Sequence, residues 1–282
     1  MRSPRTLVAP DGTSSDAAPA QQVEFEFCSV TKEFLSADGQ AHTAVRDISL
    51  QVERASFVAV IGPSGCGKST LLNMAAGLMA PSSGQVLQSG TPVAGINPRV
   101  GYLTQQNNLL PWRTVRDNVA VALEIRRVPR AERRRLVDDI LRTVGLQDFA
   151  DYFPSQLSGG MQKRVAIARI LVYKPDSLLM DEPFGPLDAQ LRLVMQRELL
   201  AIWERDRRTV MLVTHDLEEA ILMADKVVVL GRSPGQIIHI EDVDLPRPRN
   251  VVTLRKDERF IATWDVLWSK LEAQFDDGAV QA

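Results

Sequence analysis

Apolar and polar residues partly alternate along two stretches near the N-terminus, 23–30 and 44–52. Alternation with a period of two places the apolar side chains on one face of a strand, so a half-exposed antiparallel sheet is predicted. Residues 57–61 are apolar without interruption, which is typical of a short strand buried on both faces. Beyond Gly62 the period changes, and a helix is predicted over 68–78. A strand, a Gly-rich turn and a helix in this order indicate an α/β unit.

Helical periodicity dominates the middle of the chain, from about 113 to 173, where the strand pattern vanishes. This stretch is predicted to be a helical subdomain inserted into an α/β core. Apolar strands return at 177–180, 209–213 and 226–230, with a helix over 188–207 between the first two. Strands that alternate with amphipathic helices predict a mostly parallel, buried sheet.

The two ends of the chain differ from its middle. Residues 1–22 are rich in Ser, Ala, Pro and Asp without an apolar core, and we expect a disordered leader. Residues 250–282 contain one amphipathic helix, which we expect to pack on the core as a lid; the alternative is a partner surface. The apolar face of this helix comprises Phe260, Ile261, Trp264, Leu267 and Trp268.

Composition narrows the class of protein. The chain has 282 residues, 45% of them hydrophobic and 24% charged, with a formal net charge of -2. These values are ordinary for a globular protein and give no global positive charge that would favour nucleic acid. Two cysteines are too few for a disulfide framework, so we expect a reducing, cytosolic setting. No stretch has the roughly 18 consecutive apolar residues of a membrane-spanning helix, so membrane association would come through a partner.

One segment, 126–135, is dense in arginine. Glu124, Glu132, Asp138 and Asp139 lie nearby and balance much of this charge, so a solvated helix face is the favoured interpretation. Contact with anionic lipid headgroups is the alternative. The arginines are Arg126, Arg127, Arg130, Arg133, Arg134 and Arg135.

The turn after the first buried strand matches the phosphate-binding loop pattern in residues 62–69, GPSGCGKS. Its glycines let successive N–H groups point at phosphate oxygens, and the helix that follows adds its positive dipole end. Lys68 supplies a charge for the β- and γ-phosphates, and Ser69 supplies an oxygen to Mg²⁺. Cys66, at a helix start in an electropositive loop, is expected to have a lowered thiol pKa. The nucleotide-binding candidates here are Gly62, Pro63, Ser64, Gly65, Cys66, Gly67, Lys68, Ser69 and Thr70.

The loop alone does not separate kinases, GTPases and ATPases, but a later strand adds two carboxylates. Residues 178–180 are apolar and deliver Asp181 and Glu182 at the carboxyl end of the strand, where open α/β sheets bind ligands. Asp181 suits the Mg²⁺ shell. Glu182 is placed to polarise the water that attacks the γ-phosphate.

A second anion-binding surface is indicated by the stretch LSGGMQ, residues 157–162. Ser158 is a suitable N-cap, and Gly159 and Gly160 leave backbone N–H groups open at the start of a helix. A merely capped helix would account for Ser158 but not for the glycine pair.

The stretch LSGGMQKR, lying between the two nucleotide motifs, resembles the signature of ABC-type ATPases, and the resemblance extends from about 23 to 249. It implies a P-loop NTPase with a RecA-like parallel-sheet core, an antiparallel β subdomain and an inserted helical subdomain. It also implies ATP and Mg²⁺ as cofactors. In this family two cassettes pack head to tail, so the resemblance assigns Ser158 and Gly160 to the γ-phosphate of the partner's nucleotide.

Four further residues match family elements. Gln105 resembles the loop glutamine that touches Mg²⁺ and reports to the permease, and His215 resembles the switch histidine that holds the γ-phosphate and the attacking water. Phe34 resembles the aromatic that stacks on adenine, although a lone Phe is usually core. Asp188 resembles the aspartate of the loop that crosses the dimer interface. The resemblance thus implies Glu182, His215, Gln105 and Lys68 as catalytic residues and Ser69, Gln105 and Asp181 as metal ligands.

Residues 109–115, 231–237 and 243–249 look like those of the importer ATPases of the nitrate, sulfonate and taurine group. This resemblance implies a homodimer below two transmembrane permease subunits, peripheral at the cytoplasmic face of the inner membrane. An extracytoplasmic solute-binding protein would feed the permease. The solute stays open among nitrate, sulfonates, taurine, bicarbonate and small heterocyclic vitamin precursors.

Two other classes of function compete with transport. A non-transport ABC ATPase acting in DNA repair or translation is one, but repair types carry long coiled-coil insertions and translation types carry two cassettes, and neither feature is found here. A P-loop kinase is the other, and it leaves LSGGMQ and His215 unexplained.

Overall fold

The computed structural model describes residues 22–36, 39–185 and 187–276, so the expected leader lies outside the described residues except for Gln22. The strands are β1 (Val23–Leu35), β2 (Ala41–Glu53), β3 (Phe57–Ile61), β4 (Ser83–Gln88), β5 (Thr91–Pro92), β6 (Val100–Leu103), β7 (Ser177–Asp181), β8 (Thr209–Val213), β9 (Lys226–Leu230) and β10 (Ile237–Asp242). The helices are α1 (Lys68–Ala75), α2 (Val115–Ile125), α3 (Arg130–Thr143), α4 (Gly159–Leu171), α5 (Ala189–Arg205), α6 (Leu217–Met223) and α7 (Glu258–Asp276).

The central sheet has six strands in the order β10-β9-β3-β8-β7-β6. All its neighbouring strands run parallel except β10, which is antiparallel to β9. Strands β3 and β8 are buried at every residue, as their unbroken apolar sequences predict. Because β3, β8, β7 and β6 are adjacent and parallel, the loops after them meet at one edge of the sheet. The predicted α/β class is confirmed.

The second sheet is antiparallel, with the strand order β2-β1-β4-β5. Its inner face, with Phe25, Phe27 and Ile48, packs in one cluster with α1 and one face of the central sheet. The opposite face of the central sheet packs against α4, α5, α6 and α7. Helix α1, and with it the phosphate loop, is therefore held between the two sheets.

Helices α2, α3 and α4 share a smaller apolar cluster that includes Val119, Leu141 and Val165. Two short 3₁₀ helices, Gln147–Phe149 and Pro154–Gln156, connect α3 to α4. Between 113 and 173 the described chain contains no strand, as the helical periodicity predicts. Helix α4 also packs on β6 in the central core, so it belongs to both parts of the molecule.

Several elements escape the sequence pattern. Strand β4 is exposed at three of its six residues, β6 is four residues long and contains Gly101, and β10 alternates after a Pro-Gly turn. These strands are short or half-exposed, so pairing with neighbours rather than local pattern defines them. The predicted helix over 68–78 ends at Ala75, and Gly77 follows with a φ of 68°.

Helix α7 covers part of the core, because Phe260 and Leu267 are buried in the same cluster as the central sheet. Ile261 and Trp268 on the same helix are exposed. Among the described residues, none of the helices is both long enough and apolar enough to cross a membrane.

Candidate functional site

The phosphate-binding loop leaves β3 at Ile61 and enters α1 at Lys68. Gly67, the N-cap of α1, has a φ of 93°, and a Cβ there would lie 2.4 Å from Val45 Cγ1. Only glycine fits this position without strain. Lys68 is buried, and its Nζ donates to the carbonyls of Gly62 (2.9 Å) and Pro63 (2.8 Å). The ammonium is thereby fixed beneath a loop whose backbone curls around it.

Cys66 departs from its prediction. Its side chain is buried in the cluster between the two sheets. Burial raises the pKa of the Cys66 thiol and outweighs the opposing effect of Lys68, whose Nζ lies 4.0 Å from the sulfur. The expected lowering of the Cys66 pKa is therefore wrong, because desolvation disfavours the thiolate more than the nearby charge favours it.

The carboxylate of Asp181 stands at the end of β7, opposite the first turn of α1. The hydroxyl of Ser69 donates to Asp181 Oδ1 at 3.0 Å. Burial raises the pKa of Asp181, and the neighbouring Glu182 acts in the same direction, while the Ser69 hydrogen bond and Lys68 oppose it. A hydroxyl and a carboxylate are the hard oxygen donors that Mg²⁺ prefers, with water completing its shell. These two residues therefore fit the implied Mg²⁺.

Glu182 is held at the junction of three loops. Its φ is 44°, in the left-handed region that non-glycine residues rarely adopt, and its N–H donates to Val213 O at 2.9 Å. Its carboxylate accepts from Gln105 Nε2 at 3.3 Å and lies 3.3 Å from His215 Nδ1. The loops after β6, β7 and β8 thus bring three predicted catalytic residues together. Strained backbone at such a junction is typical of functional sites.

Sequence reasoning missed a network behind His215. Arg192 of α5 pairs with Asp216 (3.1 Å) and also donates to the carbonyl of Leu187, in the loop that leads to Asp188. Asp216 caps α6, and its N–H donates to Thr214 Oγ1 at 3.0 Å. The Thr214 hydroxyl in turn donates to the buried carboxyl of Glu219. One arginine thus connects the loop that follows β8 and carries His215, the histidine loop, to the loop that precedes Asp188.

Burial raises the pKa of Glu219 to about 7, and Asp216 adds to the shift, while Thr214, Gln196 and Arg192 oppose it. Its Oε1 has no hydrogen-bond partner within the described structure. A carboxyl in this position is stable when it is neutral. The stretch Leu217–Met223 gave no sign of this in the sequence, since the position of Glu219 depends on α6 packing against β3.

The loop that follows β6 and carries Gln105, the glutamine loop, is held in place by basic side chains of α4. Lys163 Nζ lies 3.4 Å from the carbonyls of both Thr104 and Gln105, and Arg169 donates to the carbonyls of residues 107 and 108 at 2.8 and 2.7 Å. Burial lowers the pKa of Lys163 to about 8. Basic residues within a helix that is otherwise largely apolar were the signal that could have identified this contact.

The signature residues lie elsewhere on the surface. Ser158 caps α4, its Oγ accepting from the N–H of Met161 at 3.3 Å, and both Ser158 and Gly159 are exposed. Gly160 is buried against α5, where a Cβ would lie 2.5 Å from Leu191 Cδ1. Among the described contacts, none joins Ser158 or Gly160 to the phosphate loop.

Phe34 and Asp188 are also separate from the carboxylate cluster. Phe34 lies near the end of β1, 38% exposed, with Lys32 Nζ 5.4 Å from the ring centre. Asp188 is the N-cap of α5 and accepts from the N–H groups of Gln190 and Leu191 at 3.1 and 3.0 Å. The structure gives Asp188 a capping role, and it leaves the side chain of Phe34 partly exposed.

A cavity of about 690 Å³ opens beside the phosphate loop. It extends from Ser64 past His215 to Arg192, and Trp268 and Leu271 of α7 form part of its wall. The terminal helix therefore borders the region of the site.

A P-loop nucleoside triphosphatase is the class of protein that these features define: a phosphate loop entering α1, a Ser69–Asp181 pair and a glutamate flanked by glutamine and histidine. Comparison with known proteins narrows this class. Residues 45–185 match the ABC transporter family. An ATP-binding protein of Brucella abortus is 48% identical over 80% of this chain and 86% of its own length. The chain therefore belongs to the ABC transporter family, and it is the ATP-binding, ATP-hydrolysing subunit of a transporter.

Other relatives are importer subunits. The nitrate import ATP-binding protein NrtD of Synechococcus elongatus is 41% identical over 87% of this chain and 90% of its own length. The bicarbonate transport ATP-binding protein CmpC of the same organism is 44% identical over 78% of this chain, which corresponds to 34% of CmpC. The resemblance to the nitrate importer group is confirmed.

A solved cassette agrees with the fold. A dimeric ATP-binding cassette in a post-hydrolysis state, bound to ADP and phosphate, is 30% identical with a TM-score of 0.69. It matches 79% of this chain and 100% of its own chain. The predicted P-loop NTPase fold, with a RecA-like core, an antiparallel β subdomain and an inserted helical subdomain, is confirmed.

Proposed function

We propose that this ATPase drives the import of a small oxyanion through a separate membrane permease, and that it works as a head-to-tail homodimer at the membrane surface. The observation that carries the catalytic part is the position of Glu182 between Gln105 and His215, with the Ser69–Asp181 pair beside it. The solute class rests on two relatives that serve nitrate and bicarbonate, which are both small oxyanions.

The binding role falls to the phosphate loop. The N–H groups of 62–69 and the first turn of α1 surround the phosphates, and Lys68 supplies a fixed positive charge. Ser69 and Asp181 would hold Mg²⁺, with Gln105 as the third proposed ligand. When bound, Mg²⁺ neutralises charge on the β- and γ-phosphate oxygens. Phe34 stacks on the adenine.

Hydrolysis depends on Glu182. Its carboxylate accepts a proton from the water that attacks the γ-phosphate, which is the role of a general base. His215 and Gln105, both 3.3 Å from the carboxylate, orient it. Because Gln105 also lies in a loop fastened to α4, movement of that loop would displace the base.

The dimer follows from what a single chain leaves incomplete. Ser158 and Gly159 start α4 at the surface with open N–H groups, which suits an anion. In the proposed sandwich Ser158 and Gly160 contact the γ-phosphate held by the partner's Lys68, and the Asp188 loop crosses between the subunits. The solved relative with ADP and phosphate is a dimer, which supports this arrangement.

The permease contact is proposed at the segment before α2. Trp112 is 71% exposed there. Buried Asn118 holds this turn by bonding to the carbonyls of Leu110, Arg113 and Thr114. A rigid turn that presents a large exposed aromatic side chain is typical of a protein contact.

The test is Glu182→Gln, which keeps the size of the side chain and removes its basicity. Loss of a general base lowers the rate by about 10² to 10⁴, so hydrolysis should fall by that factor. Because ATP still binds, the variant should form an ATP-dependent dimer on size-exclusion chromatography. The matched control is Glu241→Gln, which breaks another Glu–His pair (2.7 Å, to His239) on β10 and should hydrolyse ATP normally.

Two outcomes would count against the proposal. Hydrolysis at the parental rate in Glu182→Gln would remove the catalytic role of that residue. An ATP-dependent dimer that persists after Ser158→Arg is added would refute the head-to-tail sandwich.

The solute class is tested by uptake of labelled nitrate, bicarbonate and taurine in cells that express the parent or a Lys68→Ala variant. Equal uptake of all three solutes by both kinds of cell would contradict the proposed solute class.

A further inference from the structure

The turn between α2 and α3 carries a concentrated positive charge. Six arginines lie within ten residues there and form the arginine patch: Arg126, Arg127, Arg130, Arg133, Arg134 and Arg135. All are exposed except Arg133, which is half-buried. Since the whole chain has a net charge of -2, this turn is a local exception on a slightly acidic protein.

The acidic residues near the patch do not balance it. Three of the four acids are already paired with arginines outside the patch. These pairs are Arg113–Glu124, Arg116–Asp138 and Arg142–Asp139. Only Glu132 is left, and no patch arginine forms an ion pair among the described residues. The patch is therefore exposed to solvent, but the acids that lie close to it in sequence do not pair with it.

The patch does not serve the stability of α3. Arg130 and Arg133 lie in its first turn, where the helix dipole presents positive charge. The N-cap, Pro129, gives no side-chain cap, and Glu132 is the one acid in that turn. Cations at this end of a helix oppose its dipole, and locally unfavourable choices of this kind are expected at functional positions.

Exposed apolar side chains flank the charge. Ile125 precedes the patch and is 76% exposed, and Ile96 is 79% exposed in a neighbouring loop. Arg126 joins the two segments, because it donates to Pro98 O at 2.6 Å and its guanidinium lies 4.2 Å from the ring centre of Tyr173. Basic residues beside exposed isoleucines are the composition of surfaces that lie in a membrane interface.

We propose that the arginine patch binds anionic lipid headgroups, with Ile125 entering the interface beside them. Guanidinium groups pair with phosphate oxygens in a bidentate manner, and an exposed turn with six arginines within ten residues suits an anionic surface. The inference rests on the proposed function in one respect, that the chain works against a membrane. It adds a direct contact between the ATPase and lipid, separate from any contact with a permease.

The experiment is sedimentation of the full chain with vesicles of phosphatidylcholine, with and without phosphatidylglycerol. Binding should require phosphatidylglycerol and should weaken when salt is raised from 0.1 M to 1 M, because the Debye length falls from about 10 Å to about 3 Å. The triple variant Arg130→Gln, Arg134→Gln, Arg135→Gln should bind on the order of 100-fold more weakly, at roughly fivefold per arginine. Its hydrolysis of ATP should be unchanged.

The matched control changes three exposed arginines that form no ion pair among the described residues and lie outside the patch: Arg46, Arg197 and Arg205. The same loss of charge there should leave vesicle binding at the parental level. A second variant, Ile125→Ser, should reduce the binding that remains at 1 M salt, since that part depends on apolar contact.

Three results would overturn the inference. One is absence of binding to phosphatidylglycerol vesicles by a chain that hydrolyses ATP and dimerises, which leaves the proposed function intact. Equal weakening by the patch variant and the control variant is another, since it shows only general charge attraction. The third is a patch variant that binds vesicles normally but loses activation by a permease, which would assign the patch to an acidic protein surface. A parent chain that neither hydrolyses ATP nor dimerises would instead refute the proposed function.

Discussion

The carboxyl edge of the central sheet and the helical region α2–α4 hold their charged residues in different ways. At the sheet edge, strand pairing fixes the positions of the charged residues. Strands β3 and β7 each pair residue by residue with β8, and Asp181 and Glu182 lie where β7 ends. In the helical region, long basic side chains make the contacts instead. Lys163 and Arg169 reach from α4 to the carbonyls of the glutamine loop. The first arrangement is stiff, and the second can change without unfolding the core.

This difference suggests how a bound partner could change the rate of ATP hydrolysis. Glu182 is anchored to Val213 by its backbone and touches Gln105 by its side chain only. Gln105 is the component that belongs to both arrangements, because its backbone is fastened to α4. We therefore expect substitutions at the sheet edge to abolish catalysis, and substitutions in the fastening to α4 to reduce it in steps.

The largest effect is expected for Lys68→Ala. The substitution removes the fixed charge beneath the phosphate loop, and loss of one preorganised electrostatic contact typically costs about 10² to 10³ in rate. Hydrolysis should fall by at least this factor, and ATP should bind more weakly. Steady-state hydrolysis and fluorescent-nucleotide titration would measure both effects. A Lys68→Ala protein that retains near-normal hydrolysis would show that the sheet edge does not control catalysis.

An intermediate effect is expected for Arg192→Gln, which separates Asp216 from Leu187. A hydrogen bond to a charged group contributes about 1.5–3 kcal/mol, so the rate should fall roughly tenfold or more. The matched control is Arg164→Gln on α4, which breaks a comparably exposed ion pair with Glu198 (2.7 Å) that does not touch the site loops.

The role of Arg192 in positioning the histidine loop can be separated from a general loss of stability. Asp216→Asn should lower the rate by a similar factor, and the double variant should be no worse than either single one, because both remove the same contact. Additive losses, or an equal loss in Arg164→Gln, would contradict a link between the two loops.

A smaller effect is expected for Lys163→Met, which keeps the apolar stem and removes the charge. The contacts to Thr104 and Gln105 are long, at 3.4 Å each, so the rate should fall only several-fold, by about 1 kcal/mol in activation free energy. Because a buried charge is removed, the melting temperature should not fall. Lys270→Met on the exposed face of α7 serves as the control. A loss as large as that of Lys68→Ala would contradict the proposed difference between the two regions.

The strands of the sheet edge could be predicted from the sequence, whereas the contacts that depend on tertiary packing could not. The strands of the sheet edge are short and apolar, so local pattern sufficed to place 57–61, 177–180 and 209–213, and the Gly-rich loop and the Asp-Glu pair followed from them. Strands β4, β6 and β10 are half-exposed or contain glycine, and their identity depends on neighbours far along the chain. The contacts of Lys163, Arg192 and Glu219 depend on tertiary packing, which no local pattern records.

Charge was the least predictable property. The sequence placed Cys66 beside Lys68, which favours the thiolate, but only the structure shows how deeply the sulfur is buried. Likewise the acids near the arginine patch are close in sequence, yet they pair with Arg113, Arg116 and Arg142 instead. Electrostatic energies depend on burial and on the exact partner, whereas sequence gives only proximity along the chain.

The last effect concerns stability rather than the rate of hydrolysis, and it tests how the sheet edge tolerates a buried carboxyl. Because burial raises the pKa of Glu219 from 4.5 to about 7, the folded protein binds more protons at this residue than the unfolded chain between those pH values. The free energy of unfolding should therefore decline as the pH rises from about 4.5 to 7 and should level off above that. Each unit of the shift is worth about 1.4 kcal/mol, so the decline amounts to a few kcal/mol at most.

Glu219→Gln keeps a neutral side chain at every pH and should lose this decline. At pH 8 it should melt a few degrees above the parent, whereas at pH 4.5 the two should agree, since the parent carboxyl is then protonated. The control is Glu218→Gln on the same helix, whose exposed side chain pairs with Arg255 and should leave the pH profile unchanged. Parallel melting profiles for the parent and Glu219→Gln would mean that the sheet edge accommodates an ionised carboxyl behind His215, and that its charges are as adjustable as those of the helical region.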